Sequence, residues 1–409
     1  VDDNCHYGDA PALKQVEVTT APPTPAGPDA LSIVLVTVDA LRADRTTPYG
    51  YARDTTPNLA AFGEGAVRFE HAYTSGGWTC LAISSLFSGV YPRRLRWKPF
   101  AYTSQFRLLE LPFEKAIRPD ETVFTTITLP AQTPGWWLPS ALQQRGYHTA
   151  AISSLKVRPM FSRSFTPGWD RFVIQDGIDD ADTVDLALLE LKRLRSPFLL
   201  WVHLFEPHDP QTVHPGVPHF GDSFSDGYDH EVASMDQQLA RLLRALDGQP
   251  RTAVIVTADH GETLTSGFQV HGVDLWEDIL HIPLLIRAPG WQPGVNSSPA
   301  SLVDLAPTIG ALTQTSLPSG LDGRNLKDLT GDTSVISDMF RLDERGHLAL
   351  DEMTATNRKL RLWRDNRNQT EALVHTGDLG RPPRMLPAEQ APPELVETLG
   401  RYIEGSLPP

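Results

Sequence analysis

Three short runs constrain this chain more than anything else in it: Leu31-Ser-Ile-Val-Leu-Val-Thr-Val38, Phe198-Leu-Leu-Trp-Val-His203 and Thr252-Ala-Val-Ile-Val-Thr257. Each is almost continuously apolar and short, and the first and third are rich in β-branched residues. A strand that is apolar on both sides needs cover on both faces, and a parallel sheet between helices provides it. Helical patterns fall between the runs, beginning at Thr56-Pro57-Asn58-Leu59 and over Ser140–Arg145, Asp180–Arg195 and His230–Leu246. This alternation predicts an α/β fold with a large, mostly parallel sheet flanked by helices.

Further along, the pattern predicts a helix over Ser301–Ala311 and a turn at Leu321–Arg324. From about Ser334 it shifts to short alternating pieces such as Lys359–Trp363, and then to an amphipathic helix, Pro393–Ile403. These read as a small C-terminal α+β subdomain with an antiparallel sheet. The expected division is residues 1–27 as an extended, proline-containing tail or tether, 28–325 as the main domain and 326–409 as the subdomain.

Composition narrows the partners. With 36 Lys plus Arg against 50 Asp plus Glu, the formal charge is −14, which repels nucleic acid and anionic lipid, and no local basic patch offsets it. Only Cys5 and Cys80 occur, so neither a disulfide framework nor a four-thiolate zinc site is available. No apolar run reaches membrane-spanning length. Because the chain begins at Val1, an upstream signal or anchor is expected to have been removed.

Each of the three runs ends in residues with ligand capacity, where open α/β sheets place their sites. Asp39 closes the first and Asp259-His260 the third, so carboxylate and imidazole ligands are expected to converge on one divalent ion. Taken singly, Asp39 also reads as an ion-pair partner of Arg42 or Arg45. Gly76-Gly77-Trp78-Thr79-Cys80 precedes a helix-like run, where Thr79 is either a simple cap or part of an anion site, the glycines permitting a ligand to approach. Glu206-Pro-His208-Asp-Pro210 forms a rigid loop that can aim His208 at a substrate, and His271 follows on a loop able to fold back over the same place. His71, His148, His214, His219, His230, His281, His347 and His375 are assigned no role. Trp136-Trp137 reads equally as a stacking surface or as packing.

Together these segments resemble the sulfatase branch of the alkaline phosphatase superfamily. The matching stretches are Val36-Thr-Val-Asp39 to Asp44, Thr56-Pro-Asn-Leu59 to Phe69, Phe198 to Pro210, Thr257-Ala-Asp259-His260-Gly-Glu262, Ile282 to Gly290, Asp304 to Thr308 and Leu321-Asp-Gly-Arg324. They occur in family order over about residues 30–325. The resemblance implies an alkaline phosphatase-like fold and an extracytoplasmic home, periplasmic or extracellular.

Two departures bear on the subgroup. Sulfatases oxidise a Cys or Ser to formylglycine within C/S-x-P/A-x-R, but here either Thr79 stands at the nucleophile position with Ile83 at the arginine, or Cys80 does, with Ala82 fitting and Ser84 at the arginine. The family's sulfate-gripping lysine is replaced by Ser154, with Lys156 two residues on as a substrate-binding substitute. These departures resemble phosphoethanolamine and phosphoglycerol transferases, which use an unmodified threonine. That likeness implies a metal held by Asp39, Thr79, Asp259 and His260, Mn²⁺ or Zn²⁺ being favoured and Ca²⁺ an option. His208 and His271 would then hold the transferred group or a second metal, with Asp44 and Glu262 in supporting roles. The expected function is a metal-dependent phosphodiester or phosphonate ester hydrolase, or a phosphotransferase, acting through a covalent Thr79 intermediate on a small-molecule or lipid-linked ester. The alternatives are a sulfatase, with Cys80 matured to formylglycine, and a non-catalytic metal-containing binding protein.

Overall fold

The computed structural model describes residues 25–27, 29–104, 123–130, 136–153, 165–174, 179–208, 213–264, 271–343, 345–380 and 382–405. The expected tail therefore lies almost wholly outside the described residues, as does Lys156. The three runs become Ser32–Val38, Phe198–Leu204 and Thr252–Ala258, and they lie side by side at the centre of an eight-stranded sheet. The first sits between the other two and is parallel to both. Beyond Phe198–Leu204 come His148–Ser153 and Arg171–Ile174, also parallel. On the other side Leu284–Arg287 runs antiparallel to both its neighbours, Thr252–Ala258 and Val67–Phe69, before Gly294–Asn296 closes the edge in parallel. The sheet is thus mixed, with its parallel part where the apolar runs required cover.

That cover is present. Every residue of Ser32–Val38 and Phe198–Leu204 is buried. Trp201 packs edge-on against Phe87 from the helix Thr79–Ser88 and stacks on Trp169. Trp137 joins the same aromatic group through Phe87 and Phe165, and with Trp136 is buried in the core, so the tryptophan pair serves packing. The helix Pro57–Glu64 starts as its Thr-Pro sequence suggests, with Pro57 in the first turn, where its missing N–H costs nothing. The helix expected over His230–Leu246 instead spans Phe224–Ala245. Its early start is set by a capping box in which Ser223 and Asp226 satisfy each other's backbone N–H groups. The predicted Ser301–Ala311 helix is a short 3-10 turn, Leu302–Asp304, leading into Leu305–Thr313.

The C-terminal part forms a four-stranded antiparallel sheet, in the order Val335–Leu342, Leu348–Thr356, Leu360–Asp365 and Thr370–His375. The closing helix, Pro393–Ile403, lays Leu395, Leu399 and Tyr402 on Ile336, Met353, Leu362 and Leu373, forming a small core of its own. Burying each such leucine contributes about 2 kcal/mol. The sheet is not independent of the main domain: Gly77 N–H donates to Asp338 O, and Met339 and Phe340 belong to the large core. No helix among the described residues is long and apolar enough to cross a membrane.

Within this sheet Glu352 accepts a 2.8 Å hydrogen bond from Trp363 Nε1, and burial drives its pKa up to about 8. An unfolded glutamate titrates near 4.3, so between that pH and about 8 the native state holds more protons than the unfolded state. Stability from this group is therefore complete below that window and is lost as pH rises through it. Thermal melts at pH 5.5 and 8.5 should show a smaller alkaline loss in Glu352→Gln than in the parent, by about 1 kcal/mol or more. Parallel losses in the two proteins would refute the assignment.

Candidate active site

Parallel pairing in register brings the site together. Thr37 lies between Thr257 and His203 across the three central strands, and two residues beyond Thr37 the first strand ends in Asp39. The third strand ends one residue before Asp259. Asp39, His203 and Asp259 are all buried, and their ligating atoms lie within 4.8 Å of one another. Ala40, with φ of 59°, turns the backbone so that its N–H donates to Asp259 Oδ1 at 3.3 Å. His260 N–H donates to the same oxygen at 2.8 Å. Oδ1 of Asp259 is thereby fixed, while its Oδ2 is buried with no hydrogen-bond partner, as is Asp39 Oδ1.

Thr79 opens the helix Thr79–Ser88, whose preceding residue, Trp78, offers no side-chain cap. Its hydroxyl donates to Asp39 Oδ2 at 3.4 Å and lies 3.2 Å from His260 Nε2. The hydroxyl thus faces Asp39 and His260 rather than capping the helix. Gly76 and Gly77 serve packing instead of ligand approach. A Cβ on Gly76 would stand 2.4 Å from Leu81 Cβ, and one on Gly77 would meet Asp274 O and Met339 at 3.2 Å. Cys80 points into the core, a free thiol that burial and the Asp259 and Asp39 charges push up and keep protonated.

The donor set fits a cation. His260 Nδ1 faces the Gly261 carbonyl at 2.8 Å, in the tautomer that turns the Nε2 lone pair toward the carboxylates. That nitrogen faces Asp39 Oδ1 at 3.6 Å and Asp259 Oδ2 at 3.5 Å. Two unpartnered carboxylate oxygens and a lone pair turned toward one another in a buried place need a positive charge between them. Burial pushes the Asp39 carboxyl up, but His208, His203 and His260 outweigh it and hold it well below the carboxylate range. Burial and the Asp39 charge push Asp259 up.

The other predicted residues gather at the rim. His208 closes the turn Glu206–His208, stacks on Phe205 with ring centroids 4.3 Å apart, and meets His271 edge-on at 4.9 Å. His271 in turn lies 4.5 Å from His260. Glu262 orients His271, through a 2.8 Å contact to Nδ1, rather than His260. Burial lowers the His271 pKa, but Glu262 more than compensates and raises it, whereas burial and the His271 charge push His208 down to about 4. Arg42 pairs with Asp44, not Asp39, through two 2.8 Å bonds, and donates to the Glu262 carbonyl at 3.0 Å.

Two residues escape a reading of the sequence. His203, at the end of its apolar run, reads as a core residue, and the pairing register with Thr37 is what brings it to Asp39. Arg341, on Val335–Leu342, carried no sequence signal. Its Nη2 lies 2.9 Å from where a Cβ on Gly272 would stand, beside His271, and burial lowers its pKa. No ion pair engages it among the described residues.

A family model described as Sulfatase matches residues 32–315. The chain is 26% identical to Arylsulfatase K of Mus musculus over 175 residues, which is 42% of this chain and 32% of that protein. It is 35% identical to Steryl-sulfatase of Mus musculus over 166 residues, 36% of this chain and 26% of that protein. The matches span about a third or less of these relatives' own length. The solved structure of phosphonate monoester hydrolase from Agrobacterium radiobacter has a TM-score of 0.65 at 15% identity, covering 85% of this chain and 89% of that one, a likeness of fold.

Proposed function

Since this chain belongs to the sulfatase family, we propose that it is a metal-dependent hydrolase of anionic esters with Thr79 as nucleophile. Sulfate monoesters are the first substrate class, because both curated relatives named above are sulfatases. The observation that carries the reading is the Thr79 hydroxyl between Asp39 and His260, at 3.4 and 3.2 Å. Phosphodiesters and phosphonate monoesters form the second class, favoured by the same hydroxyl: an unmodified threonine can form and release a phosphoryl ester by the same in-line displacement.

Asp39, Asp259 and the adjoining imidazoles of His260 and His203 would hold a divalent ion. When bound, it would supply Lewis-acid stabilisation to the threonine oxygen and to the ester's non-bridging oxygens. The remaining steps belong to side chains. The Thr79 proton has Asp39 Oδ2 in reach as its acceptor, since His260 Nε2 would be turned to the ion. Thr79 Oγ1 then bonds to sulfur or phosphorus as the bond to the leaving oxygen breaks. His271, kept protonated by Glu262, gives that oxygen its proton, and His208, neutral, accepts hydrogen bonds or a proton at the rim. In the second half, water gives a proton to the now neutral His271 and its oxygen displaces Thr79 Oγ1, which takes back from Asp39 the proton it gave up. Arg341 offers the charge for the anion that Ile83 and Ser154 do not.

The test is a panel of an aryl sulfate, a bis-aryl phosphodiester and an aryl phosphonate monoester, assayed after chelation and after reloading with Mn²⁺, Zn²⁺ or Ca²⁺. Turnover restored by metal is expected, with the preferred ester naming the class. Loaded protein inert toward every ester would overturn the proposal in favour of a binding role.

A further inference from the structure

Behind the turn that carries His208, three side chains from separate elements converge: Glu206 of the turn itself, His214 of the following loop and Glu231 of the helix Phe224–Ala245. Their ligating atoms all lie within 4.8 Å of one another. Glu206 and Glu231 are buried, at 8% and 1% exposure. His214 Nε2 lies 2.7 Å from Glu231 Oε2. Glu206 Oε1 accepts from Asp180 N at 3.3 Å and Ser234 of the helix acts on the same carboxyl, while Oε2 is buried without a hydrogen bond of its own, beside a second carboxylate.

We propose that Glu206, His214 and Glu231 form a second divalent metal site, of the Zn²⁺ or Mn²⁺ type, distinct from the Asp39–Asp259 centre. Two carboxylates balance the charge of a dication, and one imidazole selects a transition metal over Mg²⁺. Tetrahedral bonds of about 2.0–2.1 Å put ligand atoms about 3.3 Å apart, so the three side chains need close in only slightly. Loading requires His214 Nε2 to present a lone pair, the proton now shared with Glu231 moving to Nδ1 or to solvent, and it expels to solvent the proton of Glu206, whose carboxyl burial and Asp180 push up to about 9 in the empty site.

The neighbourhood supports a built site. His230 uses both ring nitrogens to hold the loop: Nε2 accepts from His214 N at 2.9 Å, and Nδ1 donates to Pro218 O at 2.9 Å. It is thereby spent as a ligand, and its ring stacks on His214, with centroids 5.7 Å apart. Because Glu206 and His208 share one three-residue turn, the ion would clamp the turn to the long helix and steady His208 at the rim. The site does not depend on which ester is cleaved.

The experiment is metal stoichiometry on the full chain, stripped with chelator, reloaded with Zn²⁺ and desalted, read by elemental mass spectrometry. Two equivalents are expected in the parent and one in each of His214→Gln, Glu231→Gln and Asp259→Asn, with none in the His214→Gln/Asp259→Asn double variant. His214→Gln and Glu231→Gln should also lose part of the thermal stabilisation that Zn²⁺ gives the parent, while circular dichroism shows the native fold. A parent that holds one equivalent, lost entirely in Asp259→Asn, would overturn this proposal alone. Two equivalents retained by both Glu231→Gln and His214→Gln would overturn it as well. One equivalent retained by Asp259→Asn but lost in His214→Gln would leave this proposal standing and count against the catalytic centre.

Discussion

Thr79→Ala is expected to fold like the parent and to turn over its ester at about one-thousandth of the parent rate or less. The fold should survive because this hydroxyl does no structural task that alanine abandons. Trp78, not Thr79, precedes the first turn, so no cap is lost, and alanine suits a helix better than threonine. The stability change should therefore stay within about 1 kcal/mol. Turnover should collapse because the oxygen facing Asp39 and His260 is gone. Thr79→Ser keeps that oxygen and should retain measurable activity. Cys80→Ala is the necessary companion. The thiol is buried, and burial holds it protonated, so its removal should cost packing but little turnover. The reverse pattern, an active Thr79→Ala and a dead Cys80→Ala, would hand the nucleophile to an oxidised Cys80. Mass spectrometry of acid-quenched enzyme adds a direct readout, a sulfuryl or phosphoryl group on the peptide that carries residue 79.

What the sequence disclosed follows from how locally each feature is encoded. The central strands were legible because residues such as Ile33 to Val36 are apolar on both faces, a pattern few other environments tolerate. Asp39 and Asp259-His260 stood out because charged or ligating residues directly after such strands are conspicuous. Thr79 stood out by its place before a helical run. His203 did not, since one imidazole at the end of an apolar strand resembles a core residue until three strands are placed in register. The helix start at Phe224 was hidden by Gly221, Ser223 and Gly227, whose composition suggests a loop, although Ser223 and Asp226 form the box that begins the helix. Glu206, His214 and Glu231 were beyond a reading of the chain, because their meeting depends on how a turn, a loop and a long helix pack. Arg341 reaches the rim only because the C-terminal sheet docks on Gly77.

Asp259→Asn is expected to separate metal binding from folding. The aspartate has two different oxygens. Oδ1 accepts from Ala40 N and His260 N, and an asparagine oxygen can keep both bonds, so the strand-end loop should hold its shape. Oδ2 has no partner and faces His260 Nε2 at 3.5 Å; there the amide would place an N–H₂ donor in place of negative charge. A cation loses a ligand and meets a positive edge, so affinity at the Asp39 centre should fall by at least about a hundredfold, more than the loss usually caused by disturbing an outer-shell partner. Turnover should fall in step and return little on adding metal. The metal-free variant should melt at or above the parent's temperature, because a carboxylate that burial and Asp39 push toward protonation has become a neutral group of the same shape. Calorimetry of chelated and reloaded samples reads both effects. A variant that melts well below the metal-free parent would mean that Asp259 chiefly holds the loop. One that keeps full metal affinity would remove the centre on which the catalytic reading stands.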